Sequence, residues 1–131
     1  MSNDVLLLSA DWPSRALLRA QLIESGFEVF ATDSWESARQ ELLRGGLPRA
    51  FVLDLHGLAD AGGVVRELAT LMSSGGVLLL GAADARAPDP PAPGWRVLSR
   101  PIRIGAVAGA VARMLAAACA RPAPDQDGGT D

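Results

Sequence analysis

Lysine and tyrosine are both absent from this 131-residue chain, and aromatic residues of any kind make up only 5% of it. Without lysine, all twelve cationic side chains are arginines. In a chain this rich in alanine and glycine, that is the mark of coding bias, so one Lys-to-Arg exchange carries little weight. With few aromatics and 49% hydrophobic residues, the core must be aliphatic, and it is large enough to exclude disorder or a disulfide miniature. A single cysteine, Cys119, excludes an internal disulfide and a cysteine-based metal centre. A single histidine, His56, with no cysteine near it, leaves no pattern for zinc. No apolar run reaches the roughly 18 residues of a membrane span, since Arg113 interrupts the best candidate. The first residues also lack the basic, apolar and small-residue series of a secretory signal. The expected setting is a reducing cytoplasm, with no membrane contact.

Net charge is −3, but it is unevenly placed. Asp125, Asp127 and Asp131 lie beyond Pro124, and the remaining twelve acids balance twelve arginines. A neutral body lacks the basic footprint of a nucleic-acid binder, so no direct DNA or RNA contact is expected.

Short apolar runs alternate with helical patterns. Val5–Leu8, Phe27–Ala31, Ala50–Leu55, Val77–Leu80 and 96–98 read as strands, most of them too uniformly apolar to face water on either side. Between them, Asp11-Trp12-Pro13 opens a helix that Ser25-Gly26 stops, with Ala16, Leu17, Ala20 and Ile23 at helical spacing, flanked by Leu18 and Leu22. Ser34 caps a helix from Trp35 to about Arg44, ended by Gly45-Gly46. A third helix runs from about Val64 to Met72 behind Gly62-Gly63, with Val65, Leu68 and Met72 inward. The last runs from about Ile104 to Ala120, with the stripe Ile104, Val107, Val111, Leu115 and Ala118. Buried strands alternating with helices imply right-handed crossovers and a parallel sheet. Five such strands predict a flavodoxin-like doubly wound α/β fold of order 2-1-3-4-5.

Four prolines between Pro88 and Pro93 forbid a regular helix after Ala87, so the fourth crossover helix is expected to be shortened or replaced by a Pro-rich loop. The predicted organisation is one domain over residues 1–120 and a disordered tail over 121–131. A Gly-xxx-Gly spacing at Gly105 and Gly109 reads as composition bias or as close packing of two last helices.

In a sheet of this kind, ligands lie at the carboxyl ends of the strands, around the switch point between the first and third. That rule selects Ser9, Ala10, Asp11, Asp54, Leu55, His56, Gly81, Ala82, Ser99 and Arg100. Asp54 ends the third strand and Gly62 follows eight residues later; Arg100-Pro101 follows the fifth; Arg15 lies in the first helix after a Leu-Leu-Leu strand. In this order the sequence resembles the receiver domains of bacterial two-component response regulators, over about residues 4–119. The resemblance implies an acidic pair binding Mg²⁺ after strand 1, a phosphoacceptor Asp after strand 3, a hydroxyl after strand 4 and a Lys after strand 5. Two anions converge when phosphate meets carboxylate, so a metal and a cation must offset them.

Carried onto this sequence, the acidic pair falls on Ser9 and Ala10, the phosphoacceptor on Asp54, the hydroxyl on Gly81 and the Lys on Arg100. The aromatic switch position falls on Val97, and Leu58 stands where a Pro is usual. One carboxylate and a Ser hydroxyl make a poor site for a hard octahedral cation, so neither Mg²⁺ nor another cofactor is expected. Asp11 is the weak candidate for a substitute ligand. An Asp54–Arg100 ion pair is the expected fate of the two remaining charges.

No hydrolytic triad, P-loop or dinucleotide fingerprint accompanies them, so enzymatic activity is not expected. The resemblance therefore implies a pseudo-receiver, a phosphorylation-independent interaction domain in signal transduction or transcription control. Its expected partner is a signalling protein such as a histidine kinase or a transcription regulator. A homodimer through strand 5 and the last helix is a further expectation. Two alternatives remain open at this point: an unorthodox phosphoacceptor at Asp54, or a sensor of a small anionic ligand at the strand ends.

Overall fold

The computed structural model describes residues 4–73, 76–82, 92–103 and 105–120, with the backbone alone over 118–120. Its strands are β1 (Val5–Leu8), β2 (Val29–Thr32), β3 (Ala50–Asp54), β4 (Val77–Leu80) and β5 (Arg96–Leu98). Its helices are α1 (Trp12–Glu24), α2 (Trp35–Gly45), α3 (Ala61–Leu71) and α4 (Ala106–Ala120). All strands are parallel, in the order β2-β1-β3-β4-β5. This is the flavodoxin-like arrangement that the alternation of elements implies.

Strand side chains alternate between two faces, and each face has its own core. Val5, Leu7, Ala50, Val52, Leu78 and Leu80 meet Leu22 of α1 and Val107, Val111 and Leu115 of α4. Leu6, Leu8, Phe51, Leu53, Val77 and Leu79 meet Ala38 and Leu42 of α2 and Val64 and Leu68 of α3. Burying each such leucine stabilises the fold by about 1.5–3 kcal/mol relative to exposing it. β5, with only three residues and an exposed Arg96, closes one edge.

Several boundaries and faces differ from the sequence-based expectation. β2 starts at Val29 rather than Phe27, which packs on the first core from the loop. α3 starts three residues early because Asp60, at φ +52°, caps it through the Gly63 N–H; Gly62 and Gly63 lie inside its first turn, and Val64 rather than Val65 is buried. On α1 the expected apolar face is wrong: Ala16, Leu17, Ala20 and Ile23 are exposed, and Leu22 and Leu18 meet the core. The helix is rotated so that Arg15 reaches the Ser9 carbonyl (2.9 Å) and Gln21 the Gly105 N–H (3.4 Å). These polar anchors cannot be ranked against leucines by periodicity alone.

In α4 Val107, Val111 and Leu115 are buried as expected, joined by Ala108, Ala110 and Met114. Gly105 stands before the helix with φ +82°, so it and Gly109 do not form a stripe along one helix. The Pro-rich segment 83–91, Ile104, the Ala118 and Cys119 side chains and the tail from 121 lie outside the described residues. Among the described residues no helix stands between β4 and β5, and no helix is long and apolar enough to cross a membrane.

Candidate functional site

The sheet register makes residues 9 and 54 neighbours. Leu8 pairs with Leu53, so Ser9 and Asp54 leave β1 and β3 side by side, and their numbering parity turns both side chains toward the α1/α4 face. The ladder continues one step beyond the strands: Ser9 N–H donates to the Thr32 carbonyl, Leu55 N–H to Leu80 and Gly81 N–H to Leu98. The strand ends are thereby held at one level, forming a crevice whose floor is Ser9, Asp54 and Gly81.

Asp54 is fully buried, and its charge is met from three sides. Ser9 Oγ donates to Oδ2 at 3.0 Å, and the His56 backbone N–H donates to Oδ1 at 3.0 Å. The Arg100 guanidinium grips both oxygens, Nη1 to Oδ1 at 3.0 Å and Nη2 to Oδ2 at 3.1 Å. Nη1 also donates to the Gly81 carbonyl. Arg100 is itself only 17% exposed, so this is a buried, bidentate pair in which a planar fork matches a carboxylate. Such a pair offsets most of the cost of dehydrating each charge, and breaking it leaves the other stranded.

The remaining predicted positions add no side chain to this cluster. Ala10 brings no polar atom. Asp11 caps α1, accepting from the Ser14 hydroxyl (2.6 Å) and the Ser14 N–H (3.2 Å). Those two hydrogen bonds, hydroxyl first, hold its carboxyl below the ordinary aspartate range, with His56 and Arg100 adding smaller attractions. Gly81 contributes backbone only. Val97 packs partly into the α2/α3 core, and Leu58 lies against the same core. His56 takes part through its main chain and sits half-buried at the rim.

The resemblance to receiver domains implies a divalent cation at these strand ends, where the carboxylates present are already engaged. Both oxygens of Asp54 are occupied by a guanidinium, a hydroxyl and an amide, and the Asp11 carboxylate is turned onto Ser14. No group of three metal-binding side chains occurs among the described residues. A hard cation demanding near-octahedral oxygen would have to displace a paired arginine to reach one carboxylate.

One buried residue at the opposite end of the sheet, ahead of β5, escaped the sequence reading. Trp95 is buried against the α2/α3 core, its indole N–H on the Met72 carbonyl at 3.1 Å, and leads directly into β5. A Trp after a Pro/Gly run was the available signal, but its burial depends on where α3 ends.

The architecture is that of response-regulator receiver domains. The signal receiver domain of a LuxO repressor protein from Vibrio parahaemolyticus superposes with a TM-score of 0.71 at 20% identity, over 99% of this chain and 100% of that one. The receiver domain of a signal transduction histidine kinase from Syntrophus aciditrophicus gives 0.71 at 16% identity, covering 93% and 96%. A response regulator receiver protein from Sinorhizobium medicae gives 0.67 at 20%, covering 88% and 96%. No family model matches the sequence, and no curated protein matches it.

Proposed function

We propose that this chain is a receiver-like signalling domain that acts through protein contacts and without a phosphorylation switch. The observation that carries the reading is the saturated Asp54: its two oxygens receive a guanidinium fork, a serine hydroxyl and a main-chain amide. A phosphoryl group approaching that carboxylate would meet no metal-ligand set and would have to expel Arg100 from a buried pair. Neutrality at Ser9 and Ala10 supports the same conclusion. The pair then acts as a clasp joining β3 to the segment after β5.

In this reading the partner is a signalling protein, a histidine kinase or a transcription regulator, in keeping with neighbouring structures that are receiver domains of a repressor protein and of a histidine kinase. A second copy of the chain would dock along the edge strand β5 and the outer side of α4, where Ala112, Ala116 and Ala117 are exposed. Sedimentation at rising concentration checks that part, and a strict monomer at about 100 μM would end it.

The test of the central claim is an amide NMR titration with Mg²⁺ and then beryllium fluoride. The expected result is no saturable shift at Asp54, His56 or Gly81. Saturable shifts centred there would instead make the domain an unorthodox phosphoacceptor.

A further inference from the structure

A second concavity opens on the α1/α4 face, beside the clasp. It lies between α1 and the segment that follows β5, with a volume of about 210 Å³. Leu18, Leu80, Pro101 and Ile102 make its walls, and Leu17 forms an exposed apolar rim. The charged groups of its lining are of one sign. Gln21 directs its carbonyl oxygen to the Gly105 N–H, which leaves its NH₂ group to donate. Ser14 gives its hydroxyl proton to Asp11. Arg103 is exposed on the rim, and no acidic side chain pairs with it among the described residues. Arg100 completes the lining while gripping Asp54, and no acid lines the pocket.

An aliphatic interior beneath two arginines and an amide donor, with no carboxylate in the lining, suits a ligand with one anionic head and a short apolar tail. We propose that this pocket binds a small aliphatic carboxylate, its head on Arg103 and the Gln21 amide and its tail against Leu18, Leu80 and Ile102. The concavity is open to solvent on one side, which suits a small ligand of about eight non-hydrogen atoms. Because Arg100 faces both the pocket and Asp54, an occupant would touch the clasp itself. The site does not depend on whether Asp54 accepts phosphate.

Titration of the full chain with hexanoate, followed by amide NMR, tests this directly. Expected are saturable shifts at Gln21, Ile102 and Arg103 with a Kd of about a millimolar, and binding at least about tenfold weaker for hexanol and for acetate. Arg103→Ala, at an exposed position, should weaken hexanoate about tenfold without changing the melting temperature, and Arg103→Glu should abolish it. Three results would overturn the proposal: no saturation at these residues, hexanol binding as well as hexanoate, or R103A binding like the parent. Failure of the pseudo-receiver reading would be seen elsewhere, as beryllium fluoride shifts at Asp54 and Gly81.

Discussion

Arg100 holds a carboxylate that water does not reach, and the energetics of such a pair are asymmetric. Removing one partner strands a buried charge at a cost of about 3–5 kcal/mol, whereas replacing both by apolar side chains is often neutral or stabilising. Arg100→Met should therefore destabilise by about 3–5 kcal/mol in urea unfolding, and the double variant Arg100→Met, Asp54→Leu should recover most of that loss. Equal losses from the single and double variants would mean that Arg100 acts by something other than its pairing with Asp54. Ser9 contributes on a smaller scale, since its hydroxyl is a hydrogen bond to a charged group.

Helices α2 and α3 are stapled at their outer surface by one glutamate. Glu67 accepts the Trp35 indole N–H at 2.9 Å and the Arg39 Nε at 2.7 Å. The indole bond first, then the arginine, holds its carboxyl below the ordinary glutamate range. The folded-state pKa thus lies below the unfolded one, so the contribution is complete above the unfolded value and disappears as pH falls through the folded one. Both residues of the ion pair are substantially exposed, so the effect is modest and screened by salt. The parent should lose stability on acidification in that window with a parallel change in Trp35 fluorescence. In Glu67→Gln that part of the acid dependence should vanish while the neutral-pH fold is kept. An unchanged acid profile in E67Q would show that the staple is not the titrating element.

At the scale of the whole molecule, one sheet belongs to two cores. Leu7 faces α1 and α4, while Leu53 faces α2 and α3. Trp35 and Trp95 lie on the second face, and Trp12 is 68% exposed on α1. Fluorescence therefore reads mainly one core and far-ultraviolet circular dichroism reads both. Because the strands carry side chains to both faces, neither core can melt alone, and a domain of this size should unfold in one step. Leu7→Ala should cost about 2–5 kcal/mol and move the fluorescence midpoint as far as the dichroism midpoint, although no tryptophan packs on its face. A fluorescence midpoint left in place would show that the two cores unfold independently.

Residue patterns along the chain were enough to define the element order, the parallel sheet and the candidates at the strand ends. These rest on short-range physics: apolar runs too short for helices, caps such as Ser34, and the rule that parallel crossovers are right-handed. Parity along the strands also placed Ser9 and Asp54 on one face once their register was known. Which side of α1 is buried, the start of α3 at Ala61, the covering of Trp95 and the full enclosure of Asp54 became visible only in the folded chain. Each of these depends on contacts between residues tens of positions apart, and a helix packed by Arg15 and Gln21 carries no periodic signal of its orientation. Local propensity chooses the elements, whereas burial of a charge is a property of everything that closes around it.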